Sequence, residues 1–145
     1  MVYLLDSNVI SELRKTRPHG AVLAWLQTIP PDDLRIPAVA LTELQAGAEI
    51  TRRQDPAKAA ELDAWIDEIA QDWQIVPMDA TIAREWAKLM ERKTKALLED
   101  ALIAATARIL DLVVVTRNVK DFTQFQVQML NPFQTNPGIL EVDQD

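Results

Sequence analysis

A helix, a strand and a polar turn follow one another in the stretch from Leu98 to Phe122. Residues 98–107 carry Leu, Ile and Ala on nearly every face, a pattern typical of a helix buried between two layers. Residues 113–115 are three valines, and a run that is apolar on both faces is typical of an interior strand of a parallel sheet. The stretch therefore predicts an α/β fold in which helices cover both faces of a central sheet.

The same stretch predicts a group of polar side chains at one edge of that sheet. A helix that precedes a parallel strand begins at the carboxyl edge of the sheet, where ligands bind in open α/β folds. Asp100 lies at the start of the helix, and it is favoured over its neighbour Glu99 because it directly precedes the buried run. Three polar residues follow the strand: Thr116, Asn118 and Asp121. We expect these side chains to share one rim.

Two further acids are expected at this rim. Asp6 follows a short apolar strand at residues 2–5. Glu43 lies in the second turn of a helix that is expected to begin at Pro37, directly after a brief strand at residues 34–36. Asp6 alone could be only a helix cap, and Glu43 alone could lie on a solvent-facing stripe. A carboxylate among small and apolar neighbours is costly, however, unless it is paired or coordinated.

These positions together predict a site for a hard cation. We call them the four acids: Asp6, Glu43, Asp100 and Asp121. Carboxylates packed together repel one another unless a positive charge lies between them, and oxygen ligands favour Mg²⁺ or Mn²⁺. The chain has no cysteine and a single histidine, His19, which excludes thiolate sites and multi-histidine zinc sites. A carboxylate-held cation is suited to phosphodiester hydrolysis without a covalent nucleophile.

Neutral and basic side chains surround the four acids in this prediction. Asn8, Thr116 and Asn118 offer neutral oxygens that could orient a carboxylate. Arg117 and Lys120 flank the site and are candidates for phosphate contacts, although a single exposed cation is often only a surface charge.

Net charge limits the classes of function. The chain has 15 basic and 22 acidic residues and a formal charge of −7, which argues against nonspecific nucleic-acid binding through a global basic field. Bound cations would neutralise part of that charge. The acidic segment at residues 141–145 is expected to be frayed and distant from the site. With 145 residues, and with neither a membrane-spanning run nor a signal-peptide pattern, we expect one cytoplasmic domain.

Four motifs in this order resemble a PIN domain, most closely the VapC and FitB-type toxin branch. They are Leu5–Ile10, Thr42–Leu44, Asp100–Ala107 and Thr116–Phe122. The resemblance covers nearly the whole chain, with a domain expected over residues 1–133 and a loose C-terminal tail over residues 134–145. It implies a three-layer α/β/α sandwich around a mostly parallel sheet.

The resemblance also implies an activity and partners. Members of this branch are Mg²⁺- or Mn²⁺-dependent endoribonucleases and toxins of type II toxin-antitoxin systems. They are usually homodimers, and a cognate antitoxin that inserts a basic side chain among the acids holds them inactive. The substrate implied is RNA.

The four acids match the catalytic acids of the branch by position. Asp6, Asp100 and Asp121 are the implied metal ligands, and Asp121 is the less regular of the set. Thr116 matches the hydroxyl that often accompanies the acids. Asn118 stands where some members place an acid, so the division of roles between Asn118 and Asp121 stays open.

Two other classes of function are compatible with an acid at this position. In an aspartyl-phosphate phosphatase, Asp6 would be the nucleophile. The usual second aspartate, two residues further on, is replaced here by Asn8, which argues against that class. The third possibility is a binding module whose acidic site engages a partner without turnover.

Overall fold

Five short strands form the centre of the fold in a computed structural model, which describes residues 1–142. In chain order they are β1 (Tyr3–Leu5), β2 (Leu34–Pro37), β3 (Ile75–Val76), β4 (Val113–Val115) and β5 (Met129–Leu130). They lie in the order β3-β2-β1-β4-β5, and each neighbouring pair is parallel. The predicted parallel sheet, with residues 113–115 as a buried strand, is confirmed.

Helices connect these strands. In chain order they are α1 (Ser7–Ile10), α2 (Gly20–Gln27), α3 (Ala38–Arg52), α4 (Pro56–Asp72), α5 (Ala80–Met90), α6 (Leu98–Leu110) and α7 (Val119–Phe122). Short 3-10 turns add Ser11–Arg14, Pro31–Asp33, Lys95–Leu97 and Thr123–Phe125. The predicted buried helix is α6, and Asp111 ends it in a left-handed conformation with φ of 55°. Across the 142 described residues, no helix has both the length and the apolar character needed to cross a bilayer.

The central strands send alternate side chains into two separate cores. Leu5, Val113 and Val115 pack on one face of the sheet with residues of α1 to α4. Leu4 and Val114 pack on the other face with residues of α6 and α7. Alternate residues of a strand point to opposite faces, so one short β-branched run fills both cores. The result is the predicted three-layer α/β/α sandwich.

The start of α3 differs slightly from the prediction. Pro37 was expected in the first helical turn, but it ends β2 and has an extended backbone with φ of −72° and ψ of 142°. The helix begins one residue later, at Ala38. Because Pro lacks an N–H group, it marks the boundary without leaving a donor unpaired.

The segment after residue 133 is not a loose tail. Leu140 pairs antiparallel with Met129, through backbone hydrogen bonds of 2.7 and 2.9 Å. Glu141 was expected to be frayed, but its Oε1 accepts a 2.6 Å hydrogen bond from Gln128 Nε2. Residues 143–145, the rest of the acidic segment, lie outside the described residues. This return of the chain covers part of the β5 edge, which limits edge-to-edge pairing with other molecules.

Candidate active site

The adjacent strands β1 and β4 bring the first residues of the site together. Leu5 is in register with Val115, and the Asp6 N–H donates a 2.9 Å hydrogen bond to the Val115 carbonyl. Asp6 and Thr116 therefore leave the sheet side by side. The same carboxyl edge receives the N-terminal turns of α3 and α6, which carry Glu43 and Asp100.

Asp6 is buried, with 4% of its surface exposed, and its carboxylate is held by three donors. Oδ1 accepts from the Ser7 N–H at 2.7 Å, and Oδ2 accepts from Thr116 Oγ1 at 2.8 Å and from Asn8 Nδ2 at 3.3 Å. Burial raises the pKa of Asp6, and the hydrogen bonds from Thr116 and Ser7 oppose that shift. Asp6 is the N-cap of α1 and also lies at the rim. Its role as a helix cap therefore does not exclude its place among the four acids.

Glu43 is half-buried and is bound by a residue that the sequence did not single out. Ser7 Oγ donates a 2.6 Å hydrogen bond to Glu43 Oε2. The pKa of Glu43 is raised to about 7, mainly by burial and also by the neighbouring Glu99 and the charge of Asp6, while the hydrogen bond from Ser7 opposes the change. Glu43 is thus part of the acidic rim and not of a solvent-facing stripe. The only sequence signal for Ser7 was its place directly after Asp6.

Asp100 lies within the electric field of the other acids. The pKa of Asp100 is raised to about 6, mainly by burial and then by the charges of Asp6, Asp121 and Glu99, in that order. Glu99 was considered only as an alternative to Asp100, but its charge also reaches Asp6 and Glu43. Two adjacent residues of the first turn of α6 therefore contribute to the same acidic rim.

Thr116 connects the two loops of the rim. Its side chain is fully buried, and its Oγ1 accepts from the Asn118 N–H at 3.0 Å and from Asn8 Nδ2 at 3.4 Å. Asn8 Oδ1 in turn accepts from the Arg117 N–H at 3.2 Å. Asn118 thus contributes its backbone to this network, and its side chain is exposed. Asp121 is exposed as well, but its charge is near enough to act on Asp100.

The acids share one rim but not one coordination shell. Within residues 1–142, no three acidic or histidine side chains lie close enough together to hold a single ion. The side chains would therefore have to move toward a bound cation. Both predicted phosphate contacts, Arg117 and Lys120, are exposed at the rim. The Arg117 guanidinium lies over the ring of Phe133, with 4.4 Å between Cζ and the ring centroid.

The arrangement agrees with a comparison to known protein families. The PIN domain pattern matches residues 3–126, which include all of the four acids. The chain belongs to the PIN-domain family. The predicted resemblance is thereby confirmed.

The sequence of this PIN domain is similar to those of the VapC and FitB toxins. The chain is 32% identical over 142 residues to the VapC ribonuclease Y4jK of Sinorhizobium fredii, covering 90% of this chain and 97% of that one. It is 30% identical over 138 residues to the toxin FitB of Neisseria gonorrhoeae, again covering 90% and 97%. The crystal structure of FitAcB from Neisseria gonorrhoeae superposes with a TM-score of 0.76 at 27% identity, covering 92% of this chain and 99% of that one.

The side chains at the rim of this PIN domain are of the chemical type that binds a hard divalent cation. Carboxylate oxygens are the donors that Mg²⁺ and Mn²⁺ prefer. Burial and mutual repulsion raise the pKa values of Asp6, Glu43 and Asp100, so the ionised state of the group lacks a balancing charge. A bound cation would supply that charge. The donor set and its electrostatics therefore agree with the metal that the family resemblance implied.

Proposed function

We propose that the chain is a Mg²⁺- or Mn²⁺-dependent endoribonuclease and the toxin of a type II toxin-antitoxin pair. The proposal depends on one observation: the buried Asp6 and the half-buried Glu43 and Asp100, from separate segments, act on one another at the carboxyl edge of a PIN-domain sheet. Its choice of RNA is supported by the name of a relative, the VapC ribonuclease Y4jK, at 32% identity.

Asp6, Asp100 and Asp121 would hold the cation, which when bound would act as a Lewis acid on the scissile phosphate. Thr116 and Asn8 fix the orientation of the Asp6 carboxylate. The Glu43 carboxylate, which accepts a hydrogen bond from Ser7 at Oε2, would accept a proton from the attacking water. The bond from the water oxygen to phosphorus would form as the bond from phosphorus to the leaving ribose oxygen breaks, with no covalent intermediate on the protein. The leaving oxygen would take up a proton from solvent water.

The proposal includes a protein partner and a second copy of the chain. A cluster of carboxylates creates a negative potential, which attracts a basic side chain of an antitoxin. FitB, at 30% identity, is named a toxin, which supports the toxin role proposed here. We also propose that the chain forms a homodimer. The phosphatase and the silent binding module find no support in the family match.

Cleavage of labelled RNA by purified protein, freed of any partner, tests the proposal. With Mg²⁺ or Mn²⁺ the wild type is expected to cleave, and Asp6→Asn and Asp100→Asn should each reduce the rate about a hundredfold or more. Asp67→Asn, an exposed residue of α4, removes the same charge away from the rim and serves as the matched control.

Three results would contradict the proposal. Cleavage that persists in both rim variants would indicate a contaminating nuclease. A phosphoenzyme trapped on Asp6 would favour the phosphatase. RNA or partner binding without turnover under either metal would favour the binding module.

A further inference from the structure

Arg117 is fixed at the rim by two contacts. Its backbone N–H donates to Asn8 Oδ1 at 3.2 Å, and its guanidinium carbon lies 4.4 Å from the centroid of the Phe133 ring. That separation is within the range of a cation–π interaction. The residue before it is Thr116, whose hydroxyl contacts Asp6. An exposed cation is therefore held beside the four acids with part of its side-chain freedom already lost.

The Phe133 ring connects Arg117 to a second group of basic residues. The His19 ring meets Phe133 edge-on, with 5.1 Å between centroids and 65° between planes. The backbone N–H of His19 donates a 3.1 Å hydrogen bond to Glu12 Oε1, and this bond fixes the start of α2. Arg17 is exposed and lies two residues before His19, so their Cα atoms are within about 7 Å of each other.

Arg14 and Arg17 are exposed in the connection between α1 and α2, where Lys15 pairs with the buried Glu12. We call Arg14, Arg17 and Arg117 the basic strip. Phe133 contacts both Arg117 and His19, so the loop after β4 lies next to the C-terminal end of this connection.

We propose that the basic strip binds the phosphates of an RNA strand that flank the scissile bond. The inference rests on the proposed ribonuclease function. With a net charge of −7, the protein as a whole repels RNA, so attraction has to come from positive charge close to the cleavage site, supplied by a bound metal ion and by basic side chains. Arg117 follows Thr116, whose hydroxyl contacts Asp6, so a strand whose scissile phosphate lies at the four acids would bring a neighbouring phosphate toward Arg117.

Arginine suits this task better than lysine. Its planar guanidinium stacks on an aromatic ring and still presents N–H groups that bind a phosphate at two points. The ring of Phe133 therefore acts as a positioning group for Arg117, and it need not touch the RNA itself.

Steady-state cleavage of labelled RNA at several salt concentrations tests the basic strip. Arg117→Ala and Arg17→Ala should each raise KM about fivefold, with kcat changed less than about twofold. Each should also reduce the slope of log(kcat/KM) against log salt by about 0.7, the value for one phosphate contact on a single strand. Phe133→Leu keeps the apolar packing and the charge, so it should raise KM without changing the slope.

Arg53→Ala is the matched control. Arg53 is exposed at the C-terminal end of α3, about 15 Å along the helix from Glu43, the α3 residue that lies at the rim. Unchanged KM and salt slope in both strip variants, as in this control, would overturn the basic strip while wild-type cleavage leaves the proposed function standing. Loss of kcat alone in Arg117→Ala would also overturn it, because that result places Arg117 in the chemistry. Absence of wild-type cleavage would overturn both.

Discussion

The Ser7 hydroxyl donates a hydrogen bond to Glu43 Oε2 across 2.6 Å, and this contact joins the turn after β1 to α3. It holds a half-buried carboxylate whose other neighbours, Glu99 and Asp6, are also acidic. A single hydroxyl therefore opposes the repulsion that would otherwise turn Glu43 away from the site.

Ser7→Ala is expected to reduce kcat/KM for RNA about tenfold and to raise the Mg²⁺ concentration at half-maximal rate, as loss of an orienting partner does at metal sites. Ser7→Thr keeps the hydroxyl and should recover most of the loss. A metal titration of cleavage by the three proteins measures both effects. Equal titration curves for Ser7→Ala and wild type would contradict the role assigned to this contact.

Stability without divalent cations should fall as pH rises. The pKa of Glu43 is about 7 in the folded protein against an ordinary value of 4.5, so the folded state binds this proton more tightly. The free energy of unfolding therefore decreases as pH rises from about 4.5 to about 7. Asp100, with a folded pKa of about 6, acts in the same direction. In EDTA, Tm is expected to drop by a few degrees, about 2 to 5 °C, between about pH 5 and about pH 8.

Glu43→Gln should flatten that pH dependence, and it should weaken the stabilisation by Mg²⁺ more than it weakens folding. Glu61→Gln, on the exposed surface of α4, is the control for loss of one charge. An unchanged stabilisation by Mg²⁺ in Glu43→Gln would contradict a contribution of Glu43 to cation binding.

Thr116→Val is expected to destabilise the protein by about 1 to 3 kcal/mol, because one buried and one part-buried partner lose their hydrogen bonds while the volume of the side chain stays nearly the same. Those partners are Asp6 Oδ2 and the Asn118 N–H. Thr116→Ser keeps the hydroxyl and should retain more stability. Urea unfolding measures the difference, and equal midpoints for Thr116→Val and wild type would show that these bonds contribute nothing net.

Leu140→Pro should lower stability by about 1 to 2 kcal/mol, because proline removes the N–H that donates to the Met129 carbonyl at 2.7 Å. Leu140→Ala keeps that donor and serves as the control for loss of the side chain. Thermal unfolding measures both. If the two variants melt together, the pairing with β5 has no energetic role.

Features that depend on local pattern could be predicted from the sequence. The valine run of β4 and the apolar faces of α6 fix the type and burial of both elements, and parallel connections place their polar ends at one edge. That reasoning was sufficient for the sheet and for the rim on which the four acids lie.

Contacts between distant side chains could not be predicted in the same way. Ser7 and Glu43 are 36 residues apart, and periodicity does not reveal which rotamers meet. Nothing in the sequence around Phe133 indicated that the Arg117 guanidinium would lie on its ring. Leu140 forms a single bridge behind Pro137 and Gly138, too short to leave a strand pattern. Glu99 was weighed against Asp100 although both reach the rim.

The hydrogen bond from Thr116 to Asp6 spans 110 residues of chain. During translation Asp6 leaves the ribosome long before Thr116 has been added. Until then β1 cannot pair with β4, its neighbour in the complete sheet. A ribosome-bound chain that has not yet reached Thr116 therefore lacks both the hydroxyl that contacts Asp6 and the fourth acid, Asp121. Whatever reaction the acids perform begins only after these segments have been synthesised and folded together, which delays it relative to the appearance of the first catalytic residue.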